Sequence, residues 1–244
     1  MSVISKTMET KGKLSVVATP IGNLEDITLR ALHILKECDL VLCEDTRVTK
    51  KLLSHFDIHV PTQSFHAHST LSKVEHIIGL LEEGKHLALV TDAGTPAISD
   101  PGSLLVQKVR ESLGDSVKIE AIPGPSALAA ALSIAGVPLS DFVFLGFLPH
   151  KKGRETLFKE IAESSRAMVF YESPHRILKS IESLKKVFEA STSDQSKRKV
   201  FIARELTKIY EEVLIGTPSE LQAMFEEKPE KVRGEFVVIV SPRV

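Results

Sequence analysis

A chain of 244 residues is long enough for one large domain or for two of roughly 100 to 150 residues each. Its 43% hydrophobic and 26% charged residues are those of an ordinary folded protein, and no apolar run approaches the roughly 18 residues that a membrane span needs. A net charge of −1 excludes an overall basic footprint for nucleic acid, but residues 148 to 200 hold twelve Lys or Arg against seven Asp or Glu, so RNA contact is expected to be regional.

Residues 1 to 13, MSVISKTMETKGK, are polar and Lys-bearing with no apolar core like that of an export signal; they read as a flexible lead to a cytoplasmic protein. LSVVATP (14 to 20) reads as a buried strand. Asn23 then caps a predicted helix on which Leu24, Ile27, Ala31, Leu35 and Cys38 fall at helical spacing, with Asp26 at a capping-box position. DLVLCE (39 to 44) is the next strand, followed by a short helix in RVTKKLLSHF. Cys38 and Cys43 lack a second cysteine pair or a histidine pattern, so they read as buried, reduced thiols and not as a metal site.

TQSFHAH (62 to 68) reads as a third strand, on which His66 and His68 share a face without a third metal ligand. Leu71, Val74, Ile78 and Leu81 mark an amphipathic helix stopped by Gly84. HLALVTD (86 to 92), a helix near 103 to 112 and KIEAIPG (118 to 124) complete a βαβ series, which implies a mostly parallel sheet covered on both faces.

The pattern breaks at IPGP, Ile122 to Pro125, which places an N-terminal α/β domain at 14–122 and a C-terminal one at 123–244. In the second, a small-residue helix (125 to 136) precedes five predicted strands, FVFLGFLP, AMVFYES, KVFIARE, EEVLIGT and EFVVIVSP. Less regular helices lie between them, near 153 to 164 and along Ile177, Ile181, Leu184 and Phe188. Between the fourth and fifth of these strands, the link YEEV suggests antiparallel pairing, hence a mixed sheet, and STSDQSKRK (191 to 199) reads as a mobile loop.

The unusual residues have a common address. TPIGN (19 to 23), EDTR (44 to 47), FHAH (65 to 68), DAGTPAISDPG (92 to 102) and IPGPSA (122 to 127) each follow a predicted strand, and in an open α/β sheet the ligand lies outside the carboxyl ends of the strands. One such cluster is a turn; five on one edge, three of them rich in Gly and Pro, describe a site. Neither GxGxxG nor GxxxxGK[ST] is present, which argues against a standard dinucleotide site or a phosphate-binding P-loop. Stiff Pro-Gly walls instead suit an adenosine or an amino-acid group.

EDTR offers Glu44 or Asp45 as a proton acceptor and Arg47 as a partner for phosphate; equally, Asp45 or Thr46 caps the next helix with Arg47 in solvent. FYESPHR (170 to 176) offers Tyr171 to stack on a base or adenine and Arg176 to meet phosphate, although Ser173 and Pro174 also read as a helix start. LPHKKGR (148 to 154) concentrates His150, Lys151, Lys152 and Arg154, a substrate-binding loop or a solvated charge run. Within DAGTPAISDPG, Gly94 to Ile98 are assigned to a ligand. Ser99 to Gly102 are assigned to the next helix, with Asp100 or Ser99 as cap and Pro101 in its first turn.

VATPIGNLEDIT, CEDTR, DAGTPAISDPG, IPGPSA, GFLP, YESPHR and ARELTK, in that order, resemble the tetrapyrrole methylase superfamily, and within it most closely the branch that methylates a cytidine 2'-hydroxyl of small-subunit (16S) ribosomal RNA. The resemblance runs from about Leu14 to Pro242. It implies two α/β domains with S-adenosyl-L-methionine held in a cleft between them, a homodimer, no membrane, and small-subunit rRNA or the 30S particle as substrate. It implies cofactor contacts at Pro20, Ile21 and Gly22, at Gly94, Thr95, Pro96 and Ile98, and at Ser126 and Ala127, to which Tyr171 is added as a stacking partner. Many small-molecule relatives have Gly-Asp-Pro where this chain has Gly94-Thr95-Pro96, so backbone and a hydroxyl replace a carboxylate there. Glu44, Asp45 and Glu172 are the candidate catalytic groups, and Arg47, Lys151, Lys152, Arg154 and Arg176 the candidate RNA contacts. The alternatives are methylation of a small molecule such as a tetrapyrrole, or a cofactor-binding ribosome assembly factor without catalysis.

Overall fold

A computed structural model describes residues 12–66, 69–137, 141–191 and 198–243; the lead through residue 11, His68 and positions 192–197 of the polar loop lie outside the described residues. The chain divides between Ser126 and Ala127 into two compact units.

The first unit holds strands β1 (Gly12–Val17), β2 (Leu40–Cys43), β3 (Thr62–Ser64), β4 (His86–Leu89) and β5 (Val117–Ile122), with helices α1 (Leu29–Glu37), α2 (Thr46–His55), α3 (Leu71–Glu82) and α4 (Gly102–Leu113). All five strands pair in parallel, in the order β3-β2-β4-β1-β5. Side chains alternate across the sheet. Val17, Val41, Cys43, Ala88 and Ile122 pack on Ala31, Ile34 and Leu35 of α1 and Leu53 of α2, while Leu14, Leu42, Leu87, Leu89 and Val117 pack on α3 and α4 through Val74, Ile77, Leu81, Leu105 and Val109. This division follows from handedness. The connections through α1 and α2 run one way along the strand order and those through α3 and α4 run back, so right-handed crossovers must use opposite faces. Both cysteines are buried and free. Burial pushes the Cys38 thiol up to about 11 and raises that of Cys43, so both are protonated, inert core groups.

The predicted helix from Asn23 is two pieces. Asn23 accepts from Glu25 N–H and starts only a 3-10 turn, Leu24–Asp26. Ile27 is extended, and Thr28, accepting from Ala31 N–H, is the true cap of α1. Two capping residues five positions apart compete for one helix start, and β-branched Ile27 beside Thr28 favours the break.

The second unit comprises α5 (Ala127–Ile134), β6 (Phe142–Phe147), α6 (Arg154–Glu163), β7 (Ala167–Glu172), α7 (Ile177–Glu189), β8 (Val200–Arg204), β9 (Glu212–Gly216), α8 (Pro218–Glu227) and β10 (Phe236–Val240). Its sheet, β6-β7-β10-β8-β9, is mixed: β6 and β7 are parallel and the remaining pairs antiparallel. The link carrying YEEV joins β8 and β9, the third and fourth of the predicted strands; the fourth and fifth do not pair as expected, because β10, buried along its whole length, inserts between β7 and β8. Helices α6, α7 and α8 cover one face through Phe158, Ile161, Ile181, Leu184, Leu221 and Phe225, and α5 lies against β10. α8 is absent from the sequence reading although Thr217-Pro218-Ser219-Glu220 forms a full capping box with Pro at the helix start.

A buried ion cluster pins the end of β7. The Glu172 carboxylate, with no exposed side-chain surface, accepts from Ser180 Oγ at 2.5 Å, Arg176 Nε at 2.8 Å and Ser173 N–H at 2.9 Å. Arg154 donates to Ser180 Oγ at 2.7 Å and Pro149 O at 3.2 Å, and Arg176 donates to Leu148 O at 2.7 Å. Two guanidiniums thus share one carboxylate and hold the start of the basic loop.

Glu172→Ala strands both guanidiniums in the interior and is expected to cost about 3–5 kcal/mol in urea denaturation; a loss under about 1 kcal/mol would show that the cluster holds nothing together. Two glycines give a paired expectation. A Cβ on Gly12 would fall inside the carbonyl of Leu81, so Gly12→Ala is destabilising by about 1–3 kcal/mol. Gly79 in α3 has nothing within 4 Å of such a Cβ, so Gly79→Ala is stabilising by about 0.5–1 kcal/mol. Equal midpoints for the two variants would contradict the assigned packing.

Candidate active site at the carboxyl edge of the parallel sheet

Because all five strands of the first sheet run the same way, the segments after them gather at one edge. Three of those segments are hydrogen-bonded to one another. Thr19, after β1, and Gly94, after β4, form an antiparallel bridge, Thr19 N–H to Gly94 O at 2.9 Å and Gly94 N–H to Thr19 O at 3.0 Å. The buried Thr19 hydroxyl donates to Thr91 O at 3.0 Å, and the Thr95 hydroxyl donates to Pro125 O at 3.1 Å, beyond β5. Thr95 thus spends its hydroxyl on a neighbouring loop.

The backbone here is unusual. Gly94 has φ +87°, and a Cβ on it would stand 3.4 Å from Ile21 Cγ2. Ala97 and Ser99 have φ of 71° and 68°, a conformation that side chains with a Cβ rarely adopt. Asp100 stabilises it, accepting from Ala97 N–H at 2.8 Å and Gly102 N–H at 2.7 Å. Asp100 is therefore the residue that satisfies the start of α4. Ser99 does not cap it, and Pro101 stands just before the first turn and not within it. Ile21 and Pro96 are buried; Pro20 lies beside them, Gly22 is exposed, and Ile98 is 37% exposed.

EDTR follows β2. Asp45 is the cap of α2: its carboxylate accepts from Arg47 N–H at 2.8 Å and forks onto the Arg47 guanidinium at 2.6–3.2 Å. The Arg47 side-chain and backbone hydrogen bonds hold the Asp45 carboxyl down at about 2. Glu44 is different. It is half-buried, accepts a long 3.4 Å contact from Thr91 Oγ1, and burial, then Asp100 and Asp92, raise its carboxyl above the usual range. Of the two adjacent carboxylates only Glu44 combines partial access with appreciable basicity.

The candidates of the second unit divide. Glu172 and Arg154 are buried and Arg176 half-buried in their mutual cluster, with both oxygens of Glu172 engaged, so their first task is structural. Tyr171 is edge-on to Phe144 and Phe147, with ring centroids 5.0 and 5.5 Å away. Lys151 and Lys152 are exposed in the loop that the cluster tethers, and Ser126 and Ala127 lead into α5. His66 is exposed at the end of β3, its N–H bonded to Ser69 Oγ.

One feature is absent from the sequence reading. A cleft of about 290 Å³ opens at this edge, lined by Thr19, Pro20, Leu24, Thr91 and Asp92 on one side and by Val48, Thr49, Lys51 and Leu52 of α2 on the other. The helical spacing of Val48, Lys51 and Leu52 carries a signal for a shared face; nothing in their types tells a core face from a cleft wall. The donor set at this edge suits a group such as S-adenosyl-L-methionine. Gly94 leaves backbone approachable where a Cβ would close on Ile21, and the surrounding hydroxyls and carboxylates suit an adenosine and a cationic amino acid.

The sequence pattern of the tetrapyrrole (corrin/porphyrin) methylases matches residues 13–222. A Thermotoga maritima protein named ribosomal RNA small subunit methyltransferase I is 44% identical over 230 residues, 94% of this chain and 98% of its own. One of the same name from Xylella fastidiosa is 46% identical over 235 residues, 96% of this chain and 83% of its own. Among solved structures the methyltransferase CobJ superposes with a TM-score of 0.66 at 21% identity, covering 96% of this chain and 97% of its own, which speaks for the fold alone. The chain belongs to the tetrapyrrole (corrin/porphyrin) methylase family.

Proposed function

We propose that this protein methylates the ribose 2'-hydroxyl of a cytidine in small-subunit (16S) ribosomal RNA, with S-adenosyl-L-methionine as donor, as a cytoplasmic homodimer. The observation that carries it is the locked carboxyl edge of the first sheet with Glu44 beside it, in a chain 44% identical over nearly its whole length to a protein named for small-subunit rRNA methylation.

Bound S-adenosyl-L-methionine supplies a methyl group activated by its positive sulfur. The residues assigned to hold it are Pro20, Ile21, Gly22, Gly94, Thr95, Pro96 and Ile98, together with Ser126, Ala127 and Tyr171. In the first unit the bridge between Thr19 and Gly94 fixes two of these segments against each other, so they need little reordering on binding. A ribose hydroxyl is a weak nucleophile, and an acceptor that takes its proton as the new bond forms lowers the barrier. Glu44 fills that role. Its raised carboxyl is a stronger base than Asp45, whose lone pairs serve the helix start and Arg47. Lys151 and Lys152, on their tethered loop, and Arg47 meet the RNA backbone.

Incubation with labelled S-adenosyl-L-methionine and unmethylated small ribosomal subunits is expected to place label in a cytidine ribose; cofactor binding without label would leave a binding module instead. Glu44→Gln is expected to lower kcat by about 100-fold or more. Because the ionised form of Glu44 is the active one and its carboxyl is raised, wild-type kcat falls with pH through a limb above the usual value of about 4.3, and Glu44→Gln loses that limb. A limb retained by the variant would assign it elsewhere. Gly94→Val, forced into φ +87° and onto Ile21, is expected to abolish cofactor binding in calorimetry while circular dichroism stays that of a folded protein. Unchanged affinity would remove Gly94 from the site.

A further inference from the structure

We propose, building on the rRNA methylation reading above, that the cleft between α2 and the ends of β1 and β4 is the seat of one nucleotide of the RNA substrate, with Lys51 as its phosphate partner. Its walls have the two characters that a nucleotide requires. Val48 and Leu52 stand one turn apart on α2, facing Leu24 and Pro20, and make an apolar slot for the flat face of a base. Arg47 and Lys51 stand one turn apart on the adjoining row of the same helix, a cationic rail beside that slot.

The two cations differ in availability. Arg47 shares its exposed charge between Asp45 and the RNA, whereas no acidic side chain among the described residues pairs with Lys51, so the whole of its charge is open to an anion. The volume, about 290 Å³, lies near the lower limit of about 300 Å³ for small-molecule sites, the scale of a single nucleotide. Leu24 and Val48 remain 38% and 40% exposed, an apolar surface left for a partner to cover.

The cleft also adjoins Glu44, the carboxylate proposed as base, through two of its lining residues. Thr91 and Asp92 form its floor; Thr91 Oγ1 donates to Glu44 Oε2, and Asp92 Oδ1 accepts from Asp45 N–H at 3.1 Å. A base in the slot therefore sets its own ribose beside Glu44, and position in the cleft selects which 2'-hydroxyl of the strand is presented.

The test measures methyl transfer to unmethylated small ribosomal subunits, subunit affinity as a function of salt, and S-adenosyl-L-methionine affinity by calorimetry, for wild type, Lys51→Ala and Val48→Asp. Both substitutions lie on exposed positions of α2. Lys51→Ala is expected to raise KM for subunits about fivefold to tenfold, with a smaller change in kcat, and to reduce the slope of log affinity against log salt by about 1. Val48→Asp, which sets an anion in the slot, is expected to raise KM at least as much. A Lys51→Ala variant matching wild type in KM and salt slope overturns the inference. So does a loss confined to S-adenosyl-L-methionine affinity, which assigns the cleft to the cofactor. A wild-type protein that labels no subunit overturns the rRNA reading itself, and this inference with it; labelling by wild type separates the two failures.

Discussion

Parallel pairing of the first sheet is the constraint on which everything else in that unit depends. A parallel strand cannot return by a tight turn, so each of the five must be followed by a connection that starts at the same edge. The chemistry then has a place to gather, and two hydrogen bonds between Thr19 and Gly94 convert neighbouring strand ends into one fixed surface. Without that bridge the segments after β1 and β4 would each be an independent loop. With it, Ile21, Gly94 and, through Thr95, Pro125 keep fixed relative positions before any ligand arrives.

Electrostatics then distinguishes residues that composition cannot. Glu44 and Asp45 are adjacent carboxylates at the end of one strand, yet one is raised and the other held low. Asp45 sits where helix N–H groups and Arg47 meet it, and each contact favours its charged form. Glu44 points toward partial burial and toward Asp100 and Asp92, and each of those disfavours it. The difference between a carboxylate held low and one raised is thus set by one step along the chain.

The parallel character of the first sheet and the mixed character of the second follow from features that the sequence carries openly, chiefly the alternation of apolar runs with helical periodicity; the order of the strands does not. What escapes the sequence is of another kind. The break before Thr28 is a competition between two good caps, and local signals cannot weigh them. Glu172, Arg154 and Arg176 carry the residue types of an RNA-facing site, but they find each other across β7, α6 and α7, where the one carboxylate draws both guanidiniums inward. Lys51 and Val48 look like any solvent-facing helix positions, because a cleft is made by what stands opposite, here a loop from 28 residues or so earlier in the chain. The cap at Thr217, by contrast, is fully legible in TPSE.

The positive φ angles at Ala97 and Ser99 have a consequence for how this edge behaves over time. A glycine in such a position would be comfortable there, but it would be equally comfortable in many other shapes. Residues with a Cβ have few alternatives, so Asp100, by holding Ala97 N–H and Gly102 N–H on one oxygen, acts as a latch on a sprung segment. The loop is ordered by tension as much as by contact, and its resting shape is sensitive to the single carboxylate of Asp100.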